Sequence, residues 1–167
     1  MPAVSTAAQR TRHREQREGT RLEILAAADR FLRGSPYRDL SVDVVMAQTG
    51  LTRTAFYRHF DDVTDLVLRL FADVSEELHG IAQRWAASAG GDVPGPALEG
   101  LAGVVDFFVR HGPLMRAIAE AAATDEQIER AYRGSIDALI ELTAQTLGRM
   151  ARDGQLQVPI REPSPAR

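Results

Sequence analysis

Six residues able to donate hydrogen bonds fall within eight positions: Thr52, Arg53, Thr54, Tyr57, Arg58 and His59. The threonines and Arg53 suit base edges or phosphates, and arginine is the commonest specific reader of guanine. Tyr57, Arg58 and His59 suit phosphates, whose contacts fix register while base contacts carry sequence information. Ser41, just upstream, adds a hydroxyl to the same set. On a generic helix such a run is no more than a solvated face, so its meaning depends on the elements that carry it. Other chemistry finds little support. The four histidines, His13, His59, His79 and His111, show no metal-ligand spacing. There is no cysteine, hence neither a disulfide framework nor a thiolate zinc site. No serine lies in a Gly-x-Ser-x-Gly context. Asp61 and Asp62 are adjacent and diverge rather than pair. Gly90-Gly91 follows a helical pattern, not the strand that a phosphate-cradling loop needs. The expectation is a non-enzymatic chain with no metal and no cofactor.

The positioning elements read as helices throughout, an all-α chain. Residues 1–19 are polar, without apolar period, and are expected to be a disordered basic arm. Thr20 with Glu23 makes a capping box for a first helix, whose face is Leu22, Leu25, Ala28, Phe31 and Leu32. Gly34-Ser35-Pro36 ends it. Ser41 caps a second, short helix with Val42, Val45 and Met46 inward and Asp43 in its first turn. Gly50 supplies a turn that needs positive φ, and Ala47 is the small residue expected where the two short helices cross. Thr52 caps a third helix over 53–59, with Phe56 and Phe60 four apart on the buried side. Asp62 caps a long fourth helix with the stripe Val67, Phe71, Val74, Leu78, Ile81, Trp85. About 23 residues would span ~35 Å. Residues 89–96 form a breaker-rich loop. A fifth helix carries Leu98, Leu101, Val105 and Phe108. Gly112-Pro113 restarts a sixth, and Thr124 with Gln127 caps a seventh that runs to about residue 152.

The second and third helices therefore read as a helix-turn-helix, a unit that presents its second helix to a major groove. The run Gly50-Leu51-Thr52-Arg53-Thr54-Ala55-Phe56-Tyr57-Arg58-His59-Phe60 resembles the recognition segment of TetR-type (tetracycline-repressor) regulators. The resemblance extends over residues 20–70 in sequence and is architectural beyond that. It implies a three-helix DNA-binding head and a helical body that binds a ligand and dimerises. The arginines before the first helix (Arg10, Arg12, Arg14, Arg17) resemble the basic arms that family members lay along DNA. Two departures stand out. Where the family has a Pro-Ser-Lys-like turn, this chain reads Asp61-Asp62-Val63. The family normally adds two more helices that build its dimer interface, whereas here a Pro-containing tail follows.

The resulting organisation is a basic arm (1–19), a DNA-binding domain (20–60), a regulatory domain (61–153) and an irregular tail (154–167). Charge agrees with it. Residues 1–60 carry ten Arg against six Asp and Glu, and residues 61–167 ten against seventeen. A basic front on an acidic body suits a polyanion at one end. The expected function is a ligand-responsive repressor, cytoplasmic and free of the membrane, which binds a palindromic DNA operator as a homodimer. Its small apolar effector is expected against Trp85, Leu101, Val105, Phe108, Tyr132, Ile136 and Leu139, residues that equally suit an ordinary core. An alternative stays open, a protein-interaction module that pairs with a longer relative instead of binding DNA productively.

Overall fold

Breakers divide this chain, and helices fill the intervals between them. The computed structural model describes residues 3–88 and 95–154. Within them α1 spans Ala3–Gly34, α2 Val42–Ala47, α3 Arg53–Phe56, α4 Val63–Ser88, α5 Gly95–Ala122 and α6 Glu126–Arg152, with a 3-10 turn at Tyr37–Asp39. No strand occurs among the described residues, so the fold is all-α, as expected. The breaker loop at 89–94 and the tail from 155 lie outside the described residues.

One continuous core fixes the arrangement. Ile24, Leu25, Ala27, Ala28 and Leu32 of α1 meet Val42, Val45 and Met46 of α2, and Phe56 and Phe60 are inserted from α3 and the turn after it. The same cluster runs on through Leu66, Val67, Phe71 and Val74 of α4 to Phe107, Leu114 and Ile118 of α5 and Ile128 of α6. Each such fully buried aliphatic or aromatic side chain contributes about 1.5–3 kcal/mol relative to exposure. Head and body thus share apolar packing.

Several local expectations are corrected. α1 begins at Ala3, not at Thr20. The Thr20 hydroxyl donates back to the Gln16 carbonyl at 3.1 Å instead of capping. Residues 7–17 contain good helix formers and no glycine or proline, so the helix propagates through the capping-box signature. The 1–19 segment, expected to be disordered, is helical from residue 3. Leu22 is 53 % exposed, and the buried stripe sits at Ile24, Leu25, Ala27 and Ala28. Pro113 lies inside α5 and does not restart a helix. Gly112 before it lacks the Cβ that would clash with the proline ring, and the lost bond falls on the carbonyl of Val109, a residue 74 % exposed. Asp125, not Thr124, caps α6, accepting from the amides of Gln127 and Ile128. Ala47 is exposed and is not the crossing point of α2 and α3. The caps expected from Ser41 and Asp62 are present: Ser41 Oγ accepts from Val44 N at 3.3 Å, and Asp62 Oδ1 from Asp65 N at 2.8 Å.

Candidate nucleic-acid interface

The helix-turn-helix is assembled from short-range bonds. Gly50 has φ +70°, which an L side chain adopts only under strain. Thr49 braces the same turn. Its hydroxyl donates to the Met46 carbonyl at 2.9 Å and accepts from Leu51 N at 3.1 Å. Sequence reading passed over Thr49, although a threonine before a turn glycine has this double capacity. α3 is shorter than the expected 53–59. Its α-helical part ends at Phe56, and 57–59 continue as turns with His59 N bonded to the Phe56 carbonyl at 2.9 Å. Thr52 occupies the position before α3 without making a side-chain cap, which leaves its hydroxyl free to face outward.

Phe56 and Phe60 point inward, their ring centroids 5.5 Å apart. This registers the opposite face. Thr52, Arg53, Thr54, Tyr57 and Arg58 are exposed, and His59 is half-buried. Arg53 is held, not loose. Its guanidinium donates to both Asp43 oxygens at 2.7 and 2.8 Å and reaches the Tyr57 hydroxyl at 3.4 Å. The Tyr57 contact first, then the Asp43 charge, keep it protonated more firmly than a free arginine. The pair is exposed, so its own contribution to stability is small, and its consequence is geometric. α2 thereby aims the longest side chain of α3. Ser41 is half-buried and engaged as an acceptor, with its O–H still available to a phosphate.

Arg10, Arg14, Arg17 and Arg21 of α1 face Arg58 and His59 across a cleft of about 660 Å³, with His13 and Glu18 completing the walls. Burial first, and then the nearby Arg17, Arg21 and Arg58, push the His59 pKa below its ordinary value, against an opposing pull from Glu18.

A second depression lies in the body. A groove of about 460 Å³ is bounded by Leu78, Ile81 and Trp85 of α4, Gly100, Leu101 and Phe108 of α5, and Leu139 and Thr143 of α6, among others. Of the residues expected to meet an effector, Trp85, Leu101, Phe108 and Leu139 line it. Val105, Tyr132 and Ile136 do not. Val105 and Ile136 are exposed, and Tyr132 packs on Phe71 with ring centroids 5.8 Å apart. Tyr132 lies deeper because α6 turns it toward α4. Gly100 was missed by sequence reading. A Cβ there would lie 2.7 Å from Trp85 Cδ1, so glycine lets α5 come close enough to form the groove wall.

One polar contact ties this body to the head, and a second braces the body where α4 begins. Arg33, near the end of α1, pairs with Asp29 at 2.7 Å and donates to the Arg110 carbonyl in α5, two residues beyond Phe108. Thr64, in the first turn of α4, donates to Asp125 Oδ2 at 2.6 Å. Burial raises the Asp125 pKa, but bonds from Thr64, Ile128, Gln127 and Tyr37 outweigh it and leave the carboxyl below its ordinary value. Tyr37 is shifted up, by burial first and by the Asp125 and Asp62 charges.

Among the described residues no group of three or more His, Cys, Asp or Glu could hold a metal ion. Among the described residues no helix is long and apolar enough to cross a membrane. No family model matches the sequence, and no curated protein matches it. A solved structure does: a protein of Syntrophomonas wolfei str. Goettingen, assigned by inference to the TetR family of transcriptional regulators, superposes with TM-score 0.66. The identity is 17 %, and the match covers 86 % of this chain and 74 % of the other. The chain therefore has a TetR-like fold.

Proposed function

We propose that the chain is a sequence-specific DNA-binding regulator of transcription, acting as a ligand-responsive repressor on a palindromic operator. The observation that carries this is the face of α3. Two phenylalanines anchor it inward, and Thr52, Arg53, Thr54, Tyr57 and Arg58 stand outward in one exposed row. In this reading Arg53, aimed by Asp43, reads a base edge, with Thr52 and Thr54 beside it. Ser41, Tyr57, Arg58 and His59 hold phosphates. Regulation follows from the α4–α5–α6 groove. A small apolar effector against Trp85 and Phe108 displaces α5 next to its Arg33 contact, and α4 along its length to Asp62. A head shifted this way leaves the half-site spacing of one helical turn, ~34–36 Å. The coupling expected for such a switch is about 1–3 kcal/mol.

The second reading, an interaction module, draws on exposed Leu98, Leu101, Val105, Val109 and Ile140 on α5 and α6. In our reading a second copy of the chain covers that face, because a palindrome demands two heads related by a dyad.

Selection of bound duplexes from a random pool, followed by salt titration of the winner, tests the proposal. A palindromic winner is expected, with log affinity falling against log salt at about −0.9 per phosphate contact. No enrichment, with capture of a longer relative instead, would overturn it in favour of the interaction module.

A further inference from the structure

The cleft between α1 and α3 is strongly charged, and it is built from two elements far apart in sequence. From α1 come Arg10, Arg14, Arg17 and Arg21, one turn or slightly less apart, and from the turn after α3 comes Arg58. One carboxylate, Glu18, shares the walls, and it is already paired with Arg21 at 3.0 Å. Among the described residues Arg10, Arg14, Arg17 and Arg58 have no ion pair. A protein gains nothing in stability from gathering like charges in this way. The arrangement suits a ligand that brings several negative charges along a line.

The N-terminal half of α1 has no packing role that would explain its order, since residues 8–19 are all exposed. As a helix it sets its arginines on a rigid rod beside α3, so part of the ordering cost is met before any ligand arrives. His59 lines the cleft, half-buried, its ring tilted against that of Phe60 at 6.4 Å between ring centroids. It is the one partly buried titratable group there that can change charge near neutrality.

We propose that this cleft is a clamp for a phosphodiester segment of duplex DNA, and that closing on the phosphates draws a proton onto His59. The proposal rests on the DNA-binding reading above. In the free chain, burial and the Arg17, Arg21 and Arg58 charges disfavour the imidazolium, with Glu18 alone opposing them. Phosphates in the cleft cancel those positive charges and supply acceptors, so the protonated ring becomes the favoured partner. Proton uptake on binding makes affinity pH-linked. Affinity is flat above the pKa of the bound state, rises as pH falls through that value, and levels off below the pKa of the free state. A separation of about one unit gives a tenfold gain.

The experiment follows the imidazole proton of His59 by NMR, with and without a random-sequence duplex of about 20 base pairs, two helical turns. Duplex affinity is then measured from about pH 8 to about pH 5.5 for the native chain, His59→Gln and His79→Gln, the latter on α4 away from the cleft. The expected result is an upward shift of the His59 titration on duplex, and an affinity gain of about tenfold over the range. His59→Gln flattens that gain and His79→Gln retains it. A His59 titration unmoved by saturating duplex, or a His59→Gln variant with the full pH slope, overturns the clamp. Inorganic tripolyphosphate forms a control arm. A shift equal to that from duplex at the same phosphate concentration would assign the cleft to free phosphoanions and overturn the duplex assignment. The outcome is separable from the specificity question. An operator found with His59 unmoved removes the clamp alone, whereas a moving His59 with no operator removes the sequence-specific reading alone.

Discussion

Arg53 has the most direct consequence of any single residue. Its two bonds to Asp43 mean that the direction of this side chain is set by a residue ten positions earlier in sequence. Arg53→Ala is expected to cost about 1–3 kcal/mol in operator affinity and to relax discrimination at one base pair. Asp43→Ala, which leaves Arg53 unaimed, is expected to relax the same position. Because the two act as a unit, the double variant should be little worse than Arg53→Ala alone. A double-mutant cycle on the operator checks this, and additive losses would show independent roles. Asp125 is the corresponding residue for stability. Its side chain caps α6 and accepts from Thr64. Asp125→Ala is expected to destabilise by about 0.5–2 kcal/mol in urea unfolding. Its pKa is depressed in the fold, so the stabilisation is complete above the ordinary carboxylate value and fades as pH falls through the lower, folded value. The Ala variant should show a shallower acid limb.

At the scale of elements, α1 is two helices in function. Its second half is buried against α2 and α4 through Ile24, Ala27 and Ala28, while residues 8–19 are all exposed. Gln16→Pro separates these roles. A proline within a helix costs about 3 kcal/mol locally, but here it falls on residues that bury nothing. The global unfolding midpoint is therefore expected to stay put, while far-ultraviolet ellipticity drops and duplex affinity weakens. A matching loss of global stability would show that the arm packs more tightly than its exposure indicates. α4 and α5 show the opposite economy. Gly100 and Gly103 abut Trp85 and Ile81, and this close approach gives the groove its wall. Gly100→Ala must displace the Trp85 ring. It is expected to lower affinity for apolar ligands with little effect on α3.

At the scale of the whole molecule one core runs through these parts. Trp85 is the single tryptophan of the chain, so intrinsic fluorescence reports the groove directly. A saturating apolar ligand is expected to change that fluorescence and to weaken operator binding about 5- to 150-fold. A fluorescence change with unaltered DNA affinity would remove the switch but keep the pocket. The exposed apolar residues of α5 and α6 bear on assembly. Paired Val105→Glu and Ile140→Glu substitutions are expected to convert a dimer into monomers by sedimentation and to reduce operator binding with it. An unchanged dimer would place the interface elsewhere.

Sequence by itself determined the helix-turn-helix, since its signals are local. Ser41 and Asp62 cap, Gly50 takes positive φ, and Phe56 and Phe60 can face only one way. These depend on residues within a few positions and on the 3.6-residue period. The all-α class followed from the same period, and the match of Trp85, Leu101, Phe108 and Leu139 to one groove followed from apolar stripes that must converge. Where a local stop or start signal competed with helix propagation or with packing, the signal lost. α1 ran through the Thr20 capping box because the preceding residues already favoured helix, and Pro113 was absorbed where Gly112 relieved its clash and Val109 was open to solvent. Tyr132 went to the core, not the groove, because rotation about the α6 axis is set by neighbouring helices. The cationic cleft and the Arg53–Asp43, Thr64–Asp125 and Arg33–Arg110 contacts were invisible in sequence for one reason. Each joins separate helices, and only the packing of those helices brings the partners within reach.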